Sequence, residues 1–218
     1  WGEKWFGPYW QQAPSLAVPG LAAQKLYLAK WKPFFSAIGR QHWQLVDGKP
    51  LIYFYNANKL LPLERCSETI SRMKALFRKD FGVEPWVAME SSFFADKRLD
   101  MVADARYAWN PLKYGGGADR ISHVSMRGKR LSHAIVRWDD VGRDHPGAIA
   151  GPDDQILKGP ELLQTALVNT RNSAVTVLAT WNDLGEGTGI NRAYDYWYLG
   201  RWLPPDTFIG MIRDERAR

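Results

Sequence analysis

The sequence predicts an α/β fold, a (β/α)8 TIM-barrel-like architecture with N-terminal strands missing from the chain. Three observations predict it. Short apolar runs rich in β-branched or aromatic residues recur at about residues 50–55, 85–89, 106–109, 132–137 and 173–180, separated by helical or loop stretches. Short buried strands in this order argue for a parallel sheet. Each run then ends in polar or aromatic residues: Tyr55-Asn56, Glu90-Ser91, Trp109-Asn110, Trp138-Asp139-Asp140 and Trp181-Asn182-Asp183. Chemistry in α/β folds is done at the C-terminal ends of strands, so the recurrence points to one shared face lined with functional groups. A complete barrel takes eight strands and ~250 residues. The 218 residues and five strand-like runs fall short. The expectation is a single (β/α) barrel domain over residues 1–218, or its C-terminal five-strand portion, completed by an additional N-terminal segment or chain.

Taken in order, residues 1–20 form an irregular aromatic-rich loop punctuated by Gly7, Pro8, Pro14, Pro19 and Gly20. A helix is expected from about Leu21 to Ile38, interrupted at Pro33 because proline removes a backbone donor, with Gly39 closing it. Asp47-Gly48 signals a turn before the first strand. Ser67 opens an amphipathic helix with Ile70, Met73, Leu76 and Phe77 on one face, ending near Gly82. Lys113 to Asp119 reads as a glycine-rich loop, and Ile121 to Arg130 as a helix or irregular segment. A long loop covers Gly142 to Gly151, and Pro160 starts a helix running to Asn169.

Hydrophobic residues make up 45% of the chain, and the mean hydropathy is −0.37, as in soluble globular domains. No run approaches the ~20 apolar residues of a membrane span. The net charge of +6 is scattered, which reads as solvated surface rather than a nucleic-acid face. Cys66 is the sole cysteine, so no internal disulfide forms. Tryptophan is the compositional outlier, at 11 residues. Flat aromatic rings suit the apolar faces of sugars, although core packing accounts for many such residues. The chain opens at Trp1 without a signal-peptide pattern, so the expectation is a removed leader or a piece of a longer protein.

The most informative stretch is Trp181-Asn182-Asp183-Leu184-Gly185-Glu186-Gly187-Thr188, directly after the run Ser173 to Thr180. Two carboxylates held close together past a core strand are the minimum apparatus for glycoside hydrolysis. The alternative is a helix N-terminus, with Asn182 or Asp183 as N-cap and Glu186 in the first turn. A second acidic motif, Trp138-Asp139-Asp140-Val141-Gly142-Arg143, follows the run that ends at Arg137.

These two motifs resemble the signatures of the endo-α-mannosidase-type glycoside hydrolases (family 99) and their relatives. There an aromatic-Asn-Glu-Trp-x-Glu-Gly-Thr pattern ends a late barrel strand. The chain matches it at Trp181, Asn182, Glu186, Gly187 and Thr188, and departs at Asp183, where the family has Glu, and at Leu184, where it has Trp. In the second motif the family's Pro-Gly is replaced by Val136-Arg137, while the aromatic-Asp-Asp and Arg143 remain. The resemblance implies the C-terminal part of a barrel, with Glu186 as general acid/base. It also implies that Asp183 deprotonates the sugar 2-hydroxyl, which attacks C1 with net retention. Asp is one methylene shorter than Glu, a loss of reach of ~1.5 Å against a proton-transfer distance of ~3 Å. Glu186 is expected to be protonated at rest, because an ionised Asp183 and partial burial both disfavour its charge.

Glu90, Tyr55, Asn56, Trp109, Asn110, Trp138, Asp139, Asp140, Trp181 and Asn182 are the candidate substrate-binding residues, since all sit at strand ends. Glu90 otherwise caps the next segment, and Asp139-Asp140 otherwise forms a turn in which Arg143 pairs with an acid. The four histidines show no metal-ligand spacing, and Gly115-Gly116-Gly117 lacks a phosphate-loop context. The expected function is therefore a secreted, extracellular or periplasmic glycosidase. It acts on an α-linked polysaccharide or glycan with a carbohydrate as its partner, without cofactor, metal or nucleic acid. The alternative is a catalytically degenerate carbohydrate-binding or structural protein on a glycosidase scaffold. A further reading is a polysaccharide-processing component acting with partner domains.

Overall fold

The computed structural model describes residues 19–54, 63–90, 97–108, 121–135, 160–179, 190, 196–198 and 201–217. The chain divides into two compact units. Unit 1 comprises residues 1–109 and 124–129, and unit 2 comprises residues 110–123 and 130–218.

Unit 1 is built on a sheet of strands β1 (Leu45–Val46), β2 (Lys49–Phe54), β3 (Trp86–Glu90) and β4 (Ala105–Tyr107), in that spatial order. β1 and β2 form an antiparallel hairpin across Asp47 and Gly48. Both turn residues have positive φ, 51° and 73°, which is the two-residue turn whose twist matches that of the strands. β2, β3 and β4 are parallel, with Leu51 opposite Trp86 and Ala88 opposite Ala105. Alternation then gives the sheet two faces.

One face, carrying Ile52, Phe54, Val87 and Met89, enters a core with helices α1 (Pro19–Leu26), α2 (Lys32–Ala37) and α3 (Leu63–Phe81). Ala22, Ala23, Leu26, Trp31 and Phe35 come from the first helical run, and Cys66, Ile70, Met73 and Phe77 from α3. The last group matches the expected apolar stripe, and Gly82 (φ 74°) follows the final residue of α3 as expected. The helix begins a turn before Ser67, at Leu63.

Pro33 does not break the first helix. A π-helical segment, Tyr27–Trp31, joins α1 to α2, and the Lys32 N–H donates to the Tyr27 carbonyl. The wide turn places Pro33 in the first turn of α2, where a missing donor costs little. The run ends at Ala37, with Ile38 extended rather than Gly39 left-handed.

Asp104, buried at 8% exposure, pins the sheet to α3. Its carboxylate accepts from the Val87 N–H at 2.9 Å and from Lys74 at 3.0 Å. Its own N–H donates to the Val87 carbonyl. The Val87 bonds hold the approach to β4 beside β3, Lys74 ties the carboxylate to α3, and Arg127 lies 3.8 Å from the other carboxylate oxygen.

Unit 2 contains strands β6 (Lys129–Ile135) and β7 (Val175–Ala179), which are parallel with Leu131 opposite Val175 and Ile135 opposite Ala179. β5 (Ile121–Met126) lies on the other side of β6. The two are joined at Arg127 and Gly128, again with positive φ, 52° and 73°. The residues nearest this turn, 124–129, belong to unit 1. Helix α4 (Pro160–Asn169) lies between β6 and β7 in sequence. Strands β8 (Tyr196–Tyr198) and β9 (Arg201–Leu203) pair antiparallel, and α5 (Thr207–Arg216) follows. Ile121, Ala134, Leu163, Ala166, Leu167, Ile190 and Phe208 form the buried core of this unit. Arg171, just after α4, pairs with Glu215 of α5.

The (β/α)8 TIM-barrel expectation is overturned. A barrel of that kind is one closed sheet of parallel strands alternating with helices. The described strands instead fall into three sheets, with antiparallel pairing between β1 and β2 and between β8 and β9. Where a helix or irregular segment was expected at Ile121 to Arg130, β5 and a tight turn stand. Between β3 and β4 the described helical element is a single 3-10 segment, Lys97–Met101. The architecture is mixed α/β. The misreading has a physical source: parallel and antiparallel strands share the same apolar period, so periodicity cannot separate them.

Candidate functional site

Among the sequence-predicted site residues, Glu90 is the one inside the described residues. Tyr55, Asn56, Trp109, Asn110, Trp138, Asp139, Asp140, Trp181, Asn182, Asp183 and Glu186 lie outside them. Their places in the chain are still informative. Tyr55 follows the last residue of β2, and Trp109-Asn110 begins two residues after β4. Because β2, β3 and β4 are parallel, Phe54, Glu90 and Tyr107 end at the same edge of the unit 1 sheet. In unit 2, Trp138-Asp139-Asp140 follows Ile135 and the Trp181-to-Glu186 motif follows Ala179, and these two strand ends are register partners.

Glu90 is the last residue of β3 and is half-buried. Its register partner is Tyr107 of β4. Two residues back on the same face is Ala88, whose partners are Tyr53 of β2 and Ala105 of β4. Tyr53, Glu90 and Tyr107 therefore share the face opposite to the one that carries Ile52, Phe54, Val87 and Met89. β2 and β4 flank β3, so their backbones stand two strand spacings, roughly 9.6 Å, apart. Large rings from the two outer strands meet only if the residue between them is small, and Ala88 is. The Tyr53 and Tyr107 rings stack at a centroid distance of 4.0 Å with an interplanar angle of 23°.

The stack is anchored at its Tyr107 end. Tyr107 is fully buried, and its hydroxyl donates to the Phe54 carbonyl. The Tyr53 hydroxyl oxygen is sealed from solvent. Burial, followed by the fields of Tyr107 and Glu90, pushes the Tyr53 phenol well above the usual tyrosine range. Tyr53 thus stays a neutral donor and acceptor beside a carboxylate. Sequence reading singled out Tyr55 and passed over Tyr53 and Tyr107. The signal that finds them is the alternation of β2 against the small residue at the centre of β3.

A second polar constellation lies in unit 2, at the opposite, N-terminal end of β6 and β7. His123 Nδ1 is 2.8 Å from Ser132 Oγ, which is 2.6 Å from Ser173 Oγ, and Arg130 Nε donates to Ser173 Oγ at 3.2 Å. Ser132 is fully buried, whereas His123 is exposed. The chain of hydrogen bonds satisfies polar groups beside the Arg130–Ala174 backbone bond. Among the described residues no group of three or more His, Cys, Asp or Glu side chains is placed to hold a metal ion. Also among them, no helix is long and apolar enough to cross a membrane.

The described residues define a mixed α/β protein with Glu90 at the C-terminal end of β3. The chain belongs to the DUF5010 family, described as a domain of unknown function, which it matches over residues 12–214. No curated protein and no solved structure matches it.

Proposed function

We propose that the protein is a glycoside hydrolase that cleaves an α-linked polysaccharide or glycan by a retaining, two-carboxylate mechanism. The observation that carries this reading is the parallel register of β6 and β7. Ile135 and Ala179 are register partners, and in the sequence Trp138-Asp139-Asp140 comes three residues after Ile135 and Trp181-Asn182-Asp183…Glu186 two residues after Ala179. Two acidic, tryptophan-led segments that each follow one of two paired strands in sequence supply the residue types that a carboxylate pair with aromatic sugar platforms requires. The motif chemistry is argued from these residues and their likeness to the endo-α-mannosidase-type hydrolases. It does not depend on a closed barrel.

In this reading Glu186 protonates the leaving glycosidic oxygen. Asp183 takes the proton of the sugar 2-hydroxyl, whose oxygen attacks C1 as the glycosidic bond breaks. Water then opens the resulting epoxide-like intermediate at C1, Glu186 taking the water's proton as base while Asp183 returns its proton to the 2-oxygen, giving retained configuration. Asn182 and the Trp138-Asp139-Asp140 motif bind sugar hydroxyls and faces. Secretion to an extracellular or periplasmic space fits a polymeric substrate.

The test is hydrolysis of a panel of α-linked polysaccharides by the wild type and by Glu186→Gln. The expected outcome is release of reducing sugar by the wild type and a loss of at least about a hundredfold in the variant. Equal release by both proteins removes Glu186 from the chemistry. Glycan binding by both without any release favours the carbohydrate-binding alternative.

A further inference from the structure

The hydroxyl array of unit 2 joins an exposed base to a half-buried nucleophile. His123, Ser132, Ser173 and Arg130 all belong to that unit, and β5, β6 and the segment before β7 supply them. Ser173 is half-buried and flanked by exposed Asn172 and Ala174, while Ser132, between it and His123, is fully buried. Both ends of the array therefore lie nearer solvent than its middle.

The Arg130 guanidinium only donates, so Ser173 Oγ accepts at that end, at 3.2 Å. With the His123 proton on Nε2, Nδ1 accepts at the other end. The Ser173 hydroxyl then donates to Ser132 Oγ across 2.6 Å, and the Ser132 hydroxyl donates to His123 Nδ1 across 2.8 Å. Both links lie within proton-transfer reach. Moving each proton one step along the array protonates His123 and leaves an alkoxide at Ser173, beside the positive charge of Arg130.

We propose that Ser173 is the nucleophile of an acyl-transfer site for small carboxylic esters, with His123 as general base acting through Ser132. Ser173 Oγ attacks the ester carbonyl carbon as its proton passes to Ser132 and the Ser132 proton passes to His123 Nδ1. The bond from that carbon to the alcohol oxygen breaks, and the alkoxide takes a proton from solvent. Arg130 stands next to the attacking oxygen, where a fixed cation stabilises the charge of the tetrahedral intermediate. Water then attacks the acyl-serine, and one water proton passes to solvent. The relay runs backwards to reprotonate Ser173 Oγ as it leaves, and the acid product ionises. His123 and Ser132 act through Ser173 and do not touch the ester. The site rests on the hydrogen bonds of unit 2 and is independent of the glycosidase reading.

The test treats the intact chain with p-nitrophenyl acetate and follows nitrophenolate release, with peptide mass spectrometry after an acid quench. The wild type should carry an acetyl group on Ser173, and release should begin with a burst of about one equivalent. Ser173→Ala should remove both adduct and burst. His123→Gln and Ser132→Ala should each slow acylation of Ser173 about a hundredfold. Ser132 is buried, so if its variant fails to fold, His123→Gln at the exposed end decides the matter. A solvent isotope effect separates a relay from mere packing. Two protons move together in the wild type, so its acylation rate should depend non-linearly on the deuterium fraction, and His123→Gln should lose that curvature. Four results would each overturn the proposal: no adduct on Ser173 in the wild type, equally fast acylation in His123→Gln, a linear deuterium dependence in the wild type, or release unchanged in Ser173→Ala because an imidazole reacts directly.

Discussion

Two parallel strand pairs, β2–β3 and β6–β7, are built on the same plan, with a helix between the strands in sequence, yet they are stabilised differently. In unit 1 the intervening helix is α3, 19 residues long, and it buries Ile70, Met73 and Phe77 against the sheet. In unit 2 the intervening helix is α4, 10 residues long, and it contributes Leu162, Leu163, Ala166 and Leu167. Around Phe77 the rings of Phe35, Phe81, Trp31 and Trp43 lie at centroid distances of 4.9, 4.6, 6.2 and 6.2 Å. The described core of unit 2 is aliphatic apart from Phe208. The difference teaches that one supersecondary plan can be held by a large aromatic core in one place and by a lighter, aliphatic one in another.

The sharpest way to break that comparison is Phe77→Ala. The residue is fully buried, and its aromatic neighbours are too rigid to close the gap. Denaturant unfolding should show a loss of about 4 kcal/mol. Leu163→Ala makes the matching deletion in α4, where the residue is also fully buried. Smaller, more adaptable neighbours should relax into the space, so the expected loss is nearer 2 to 3 kcal/mol. If the two losses are equal, or reversed, the contrast between an aromatic and an adaptable core is mistaken.

The smallest effect concerns the surface of unit 1. Asp80 accepts from the Tyr27 hydroxyl at 2.7 Å and pairs with Lys32 at 2.9 Å. Lys32 first, and then the Tyr27 bond, hold its carboxyl below the usual range. A carboxyl whose folded pKa is depressed stabilises the fold above its unfolded value, and that contribution is lost as pH falls through the folded value. Melting temperature followed from pH 7 downward should therefore fall more steeply in the wild type than in Lys32→Ala, within the acid carboxylate window. Parallel curves would remove the ion pair from the account.

Much of the local structure was legible from residue patterns. The Ile70-Met73-Phe77 stripe, the Asp47-Gly48 turn, Gly82 after α3, Pro160 at the start of α4 and the strands at β2, β3, β6 and β7 all stand where local chemistry puts them. The Arg127-Gly128 turn was not legible, because arginine is not among the residues that favour a positive φ. β8 and β9 escaped for a different reason. Tyr196-Trp197-Tyr198 and Arg201-Trp202-Leu203 are too short for an apolar period to register. At the candidate site, Glu90 was visible as an acid after a strand. Its partners were not, since stacking Tyr53 on Tyr107 requires knowing that β2 and β4 flank β3.

The sequence by itself determined where the principal strands and helices lie and which segments carry the acids. Those properties depend on residues a few positions apart, and the chain's periodicity encodes them directly. Only the tertiary structure decided the direction in which strands pair, the division into separate sheets in place of a barrel, and the closure of two tyrosines over Ala88 beside Glu90. Those depend on contacts between residues tens of positions apart, whose free energy comes from packing and register rather than from any local preference.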